Sequence, residues 1–144
     1  MGLKPPFGLA EGARVTLDSA PLIYYLEDHK TFKPFYAPLF MAEANGLLEF
    51  VISSIAVAEI LTGPFKAGNE ALANRYRKTL STWEIVVLDA ELAALAARLR
   101  AGHKLKFPDA IHAATAIASG SAALITHDRD FSDLKGMRII NGSA

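Results

Sequence analysis

Three times along the chain, a short run of β-branched and aliphatic residues gives way within one or two positions to residues that start a helix. Arg14-Val-Thr-Leu17 stops at Asp18-Ser19, Leu47 to Ser53 (LLEFVIS) runs into Ser54, and Glu84 to Leu88 (EIVVL) meets Asp89. A fourth run, Ala123 to Thr126 (ALIT), ends at His127-Asp128, and Met137 to Ile140 supplies a candidate fifth. Such runs are too short for helices and too apolar for loops, so they read as buried strands. Strands that feed helices must return by crossovers, which predicts a parallel sheet with helices on both faces.

The intervening segments carry helix signals. Ser19 or Asp18 can cap a first helix, with Pro21 in its first turn and Leu22, Ile23, Tyr25 and Leu26 as its apolar face. A second helix is expected from about Pro34 to Asn45, ended by Gly46, and a third, short one carrying Ala58-Glu59-Ile60-Leu61 until Gly63-Pro64 breaks it. Residues 68–81 predict a basic helix. Residues 90–101 predict an Ala/Leu-rich one capped by Asp89 and ended by Gly102, and Pro108 opens a last helix that Gly120 closes.

The 144 residues, 51% hydrophobic, suffice for one domain, expected over residues 14–144 behind an N-terminal arm of residues 1–13. The absence of cysteine excludes a disulfide framework, a zinc knuckle and a thiol nucleophile. Any metal must be held by oxygen or by His29, His103, His112 or His127, and no two of these have zinc-protease spacing. The longest stretch without a charged residue, Ala110 to Thr126, is 17 residues long, short of the roughly 20 apolar residues of a membrane span. No secretory signal is evident in residues 1–11, so a cytoplasmic protein without a membrane segment is expected. The P-loop and GxGxxG patterns are absent, which argues against nucleotide-triphosphate and dinucleotide binding.

Formal charge sums to zero but is unevenly spread. Residues 1–63 hold seven acids and four bases, and residues 64–144 hold eight acids and eleven bases. The bases gather at Arg75, Arg77 and Lys78, then at Arg98, Arg100, Lys104 and Lys106. Such clusters attract phosphate backbones even in a neutral protein, although their ordinary role is a solvated helix face.

In open α/β sheets functional groups collect beyond the C-terminal ends of the strands. Asp18 follows the first predicted strand and Asp128 the fourth; Glu59 lies in the helix after the second, and Asp109 opens the helix that feeds the fourth. Singly, each has an ordinary explanation: Asp18 and Asp109 as helix caps, Asp128 as a turn residue, Glu59 as an exposed helix residue. Together they would repel one another unless a cation sits among them. Hard oxygen ligands select Mg²⁺ or Mn²⁺, which can polarise a phosphodiester and activate water. His112, three residues after Asp109, is expected near that carboxylate, either at the surface or supporting a ligand. His127 is expected to point away from Asp128 if strand alternation continues.

Four segments in this order, VTLDSAPLIYYLE at 15–27, SSIAVAEILTGP at 53–64, KFPDAIHAATA at 106–116 and ALITHDRDF at 123–131, resemble the PIN-domain nucleases. More closely, they resemble the VapC-like toxins of prokaryotic toxin–antitoxin pairs. The resemblance covers nearly the whole chain after the first dozen residues. It implies a PIN-like three-layer α/β/α sandwich with a mainly parallel sheet, and Mg²⁺- or Mn²⁺-dependent endonucleolytic cleavage of RNA. It also implies a homodimer and inhibition by a cognate VapB-like antitoxin. Carried over by position, it makes Asp18, Glu59, Asp109 and Asp128 the acidic metal-site and catalytic residues. Asp130 competes with Asp128 for the fourth role, and Thr126 would orient water or an acidic side chain. Arg98, Arg100, Lys104 and Lys106 are the expected RNA contacts. The arm of residues 1–13 departs from the many relatives that begin almost directly with the first strand.

Two other functions fit parts of the sequence. One is a catalytically weak PIN-like module that binds RNA or protein, against which the intact acidic set argues. The other is a small-molecule phosphohydrolase with Asp18 as nucleophile. The sequence Asp18-Ser-Ala-Pro lacks the second Asp two residues on that a haloacid-dehalogenase-type enzyme would have.

Overall fold

The computed structural model describes residues 3–131, 134 and 136–143, except the side chain of residue 130. Five strands, β1 (Ala13–Leu17), β2 (Leu48–Ser53), β3 (Glu84–Val86), β4 (Ala123–Thr126) and β5 (Arg138–Asn141), form one sheet in the order β3-β2-β1-β4-β5, with every pairing parallel. Six helices connect them: α1 (Ser19–Leu26), α2 (Lys33–Ala44), α3 (Ser54–Lys66), α4 (Glu70–Leu80), α5 (Ala90–Gly102) and α6 (Phe107–Ala118).

Side-chain alternation divides the sheet between two cores. Val15, Leu17, Phe50, Ile52 and Ile125 pack on one face with Leu22, Leu39, Ile60 and Leu80 from α1 to α4. Leu124 faces the other side, under Leu92 and Ala96 of α5 and Ala110, Ile111 and Ala114 of α6. Four alanines of α6, at 110, 113, 114 and 116, are fully buried, so the helix can lie close to the sheet and to α5 at little cost in side-chain entropy. The one hydroxyl buried on the middle of β1, Thr16, is satisfied by Ser121 Oγ at 2.8 Å. The three-layer α/β/α sandwich expected from the sequence is therefore present.

Local signals act as anticipated at several junctions. Ser53 caps α3 by accepting from the Ala56 amide, and Asp89 caps α5 by accepting from Leu92. Gly46, at φ 74°, closes α2 in the left-handed region that glycine adopts without strain. Three expectations need correction. Strand and helix do not alternate strictly, because α1–α2, α3–α4 and α5–α6 are helix pairs. Gly63-Pro64 does not end α3, which continues to Lys66: Pro64 falls in the last turn, where its missing amide removes little, and its ring is buried. The third strand stops at Val86 rather than Leu88, because the Leu88 amide turns away to the Ser54 hydroxyl at 3.1 Å.

The segment before β1 is tied to the sheet. Leu9 is buried, Phe7 packs on Phe35 at 5.3 Å, the Gly12 amide bonds Leu47 O at 2.8 Å, and Arg138 donates to Phe7 O. Among the described residues no helix is long and apolar enough to cross a membrane.

At the end of β5 the backbone passes directly over the buried Tyr36 ring. A Cβ placed on Gly142 would lie 2.7 Å from Tyr36 Cζ and 2.8 Å from Phe35 Cδ2, and Tyr36 cannot move aside because it is fully enclosed. Gly142→Ala should therefore destabilise the fold by about 1–3 kcal/mol, the usual result of overpacking. Thermal melting checks this; an unchanged midpoint would mean that the chain end simply lifts away.

Candidate active site

The sheet order reverses direction between β1 and β4, since the chain builds outward from β1 through β2 to β3 and then returns to its other side. Loops leaving such neighbours diverge and open a crevice at their C-terminal ends. A cleft of about 600 Å³ occupies that position, and Asp18, Glu59, Asp109 and Asp128 all line it. The four acids that the sequence spreads over 111 positions thus share one opening.

Each acid is held differently. Asp18, 5% exposed, sits at the N-cap position of α1 in extended conformation, yet its side chain does not cap the helix. One oxygen, Oδ2, accepts from the Thr126 hydroxyl across the β1–β4 pair, and the other, Oδ1, is buried without a hydrogen-bond partner. The same Thr126 oxygen accepts the Asp128 amide at 3.1 Å, so a single hydroxyl fixes both strand ends. Asp109 lies in the first turn of α6, whose cap position is Lys106, and its Oδ2 is likewise buried without a partner. The capping explanation for Asp18 and Asp109 fails on both counts.

Glu59 Oε1 is 2.9 Å from His112 Nε2, and His112 Nδ1 is 3.2 Å from Ser53 Oγ. His112 is 1% exposed, so it is no surface residue; it supports Glu59 from inside the fold. His127 corrects a second expectation: it lines the cleft together with Asp128 rather than pointing away. The strand ends at Thr126, so alternation no longer applies, and Tyr36 OH holds the ring at 2.7 Å from Nδ1.

Burial dominates the electrostatics. It pushes the Asp18 carboxyl up to about 6, against the lowering effects of the Thr126 hydrogen bond and the nearby His112. It also raises Asp109 to about 7, helped by a hydrogen bond shared with Asp128 and by the negative charges of Asp128 and Asp18. Burial acts upward on Glu59 too, but the hydrogen bond and charge of His112, with a hydrogen bond from Ser19, leave it below the ordinary glutamate range.

Of the bases expected to meet a phosphate backbone, Arg98 and Arg100 lie exposed on α5, Lys104 lies in the connection after it, and Lys106 holds the position just before α6 without a capping bond. None of the four lines the cleft. The Lys or Arg that does, among the described residues, is Arg129, and Tyr24 and Ser143 join it; the sequence reading singled out none of these. Arg129 directly follows Asp128, which is the one signal that could have drawn attention to it. Asp130, the competitor for the fourth acidic role, has its side chain outside the described residues.

Oxygen donors in a partly dry cleft suit a hard divalent cation, and the two orphaned oxygens, Asp18 Oδ1 and Asp109 Oδ2, are where coordination would replace missing hydrogen bonds. No three described His, Asp or Glu side chains are grouped tightly enough to hold an ion as they stand. Side-chain rotation at the rim would have to complete a site.

The raised carboxyls have a consequence for stability. A carboxyl whose folded pKa exceeds its unfolded value favours the folded state at low pH, and this contribution is lost as pH rises from about 4 through 6 for Asp18 and 7 for Asp109. In chelator above pH 7, Asp18→Asn and Asp109→Asn should melt above the parent protein, the former by on the order of 3 kcal/mol of stability. The advantage should vanish near pH 4. If both variants melt lower at pH 7.5, the carboxylates do not burden the fold and the cleft is not electrostatically strained.

Comparison with known proteins agrees with this architecture. The PIN domain family model matches residues 15–137. No curated protein matches. Among solved structures, VapBC2 from Rickettsia felis bound to a promoter DNA fragment superposes with a TM-score of 0.71 at 23% identity, covering 89% of this chain and 98% of that one. A toxin–antitoxin complex from Klebsiella pneumoniae gives 0.69 at 28% identity, covering 89% and 97%. VapC20 from Mycobacterium tuberculosis, a Sarcin-Ricin loop cleaving toxin, gives 0.65 at 17% identity, covering 82% and 92%. With the family model spanning most of the chain and all four acids inside the matched region, the chain belongs to the PIN-domain family.

Proposed function

We infer that this chain is a metal-dependent endoribonuclease and the toxin component of a toxin–antitoxin pair. The observation that carries the reading is the pair of buried, unpartnered carboxylate oxygens, Asp18 Oδ1 and Asp109 Oδ2, in one cleft at the switch point of the sheet. Such atoms cost free energy unless something binds them, and coordination to a cation in the cleft would offset that cost. Similarity to solved toxin–antitoxin structures supports the same role and suggests an antitoxin partner.

Asp18, Glu59, Asp109 and Asp128 would hold Mg²⁺ or Mn²⁺. The ion would supply Lewis acidity toward the phosphoryl oxygens and lower the pKa of a nearby water. Thr126 keeps the Asp18 carboxylate turned so that Oδ1 faces away from its hydrogen bond and stays available. His112, braced by Ser53, keeps Glu59 from swinging into solvent. Arg129 brings positive charge to a rim otherwise dominated by acids, which favours capture of a phosphate. Lys104 and Lys106 extend the attraction outside the cleft.

Single-stranded RNA should be cleaved in Mg²⁺ or Mn²⁺ and left intact in excess chelator. Asp109→Asn should lower the rate by orders of magnitude while circular dichroism shows the fold retained. Cleavage by the parent protein in chelator, or at full rate by the variant, would refute the reading. Separately, the double variant Lys104→Ala/Lys106→Ala should weaken RNA binding and lower its salt slope by about 0.7 for each phosphate contact removed. Its metal affinity should barely move, and an unchanged slope would mark both lysines as solvated charges.

A further inference from the structure

Beside the acids, the same cleft has an aromatic wall that the hydrolytic chemistry does not use. Tyr24, two turns into α1 from Asp18, and His127, one residue beyond β4, both line it and are both half-buried. Their rings meet edge to face at 4.9 Å and 80°. Phe32 backs both, 4.2 Å from the His127 ring and 5.0 Å from Tyr24.

The imidazole is held rather than free to turn. The Tyr36 hydroxyl, itself fixed 2.9 Å from Thr126 O and 3.1 Å from the Gly142 amide, lies 2.7 Å from His127 Nδ1. The result is a rigid aromatic corner adjoining a group of carboxylates and the Arg129 side chain.

Rigid aromatic faces next to a phosphate-handling site suit an unpaired nucleobase. Every base has a π-face, so stacking adds affinity without demanding a sequence. A duplex cannot use such a corner, because its bases are already stacked. We propose that Tyr24 and His127 form a stacking platform that holds one unpaired base beside the bond to be cut. This would make the cleft selective for single-stranded or looped RNA over duplex. The proposal rests on the nuclease reading for its substrate class, but its contacts are independent of the metal.

Binding and cleavage can be tested apart. In an Asp109→Asn background with Mg²⁺, where turnover is suppressed, fluorescence anisotropy of a labelled 12-nucleotide oligoadenylate should weaken by about five- to a hundredfold on Tyr24→Leu, the range for losing one stacked base. Tyr24→Phe, which keeps the ring, should bind like its background, and His127→Ala should weaken. A fully abasic strand of the same length needs no protein change and so is immune to misfolding. It should bind more weakly than oligoadenylate, and on it Tyr24→Leu should add no further loss. Equal binding of the two strands, an equal loss on both from Tyr24→Leu, or no binding of either would overturn the platform. If the unsubstituted protein cleaves RNA in Mg²⁺ while these binding tests fail, the nuclease reading stands and the platform falls. Base-dependent binding through Tyr24 without cleavage would give the reverse.

Discussion

The parallel pairing of β1 with β4 is the contact on which the rest of this molecule depends. It joins residues more than a hundred positions apart, through Val15 with Ala123, Thr16 with Leu124 and Leu17 with Ile125, and it creates the point where the sheet changes direction. Both strand ends are then fastened by one hydroxyl: Thr126 donates to the Asp18 carboxylate and accepts from the Asp128 amide. Remove this pairing and the two cores, the cleft and the grouping of acids all lose their basis.

The cleft works against the stability of its own fold. A carboxylate as enclosed as Asp18 is disfavoured by lost hydration, and the hydrogen bond from Thr126 compensates only in part. A folded chain tolerates this because two well-packed cores supply the surplus, one on each face of the sheet. Site and scaffold are thus opposed in free energy, a usual condition where groups are held ready for a ligand that the free protein lacks.

Much of this was legible in the sequence because the signals are local. Strand β1, the caps at Ser53 and Asp89, the stop at Gly46 and the positions of four acids beyond strand ends all follow from residues within a few places of one another. What was not legible depends on contacts distant in the chain. Nothing near His112 announces that it will be buried against Glu59, 53 positions earlier, and nothing near His127 foretells a bond to Tyr36, 91 positions earlier. Alternation predicted His127 on the wrong side because the strand stops one residue short of it. Pro64 misled for the opposite reason: a local breaker is harmless where the last helical turn has few bonds left to lose.

Helix α6 carries Asp109 and His112 one turn apart, and through His112 it also controls Glu59 on α3. The seat of α6 on the sheet therefore governs two acids at once, Asp109 directly and Glu59 through the buried His112, while Asp18 is anchored to β4. The connection at residues 103–106 sets where α6 begins, yet only Leu105 within it is buried. Changes in that short connection are therefore a route by which evolution, or an engineer, can retune the spacing between acids without altering any of them.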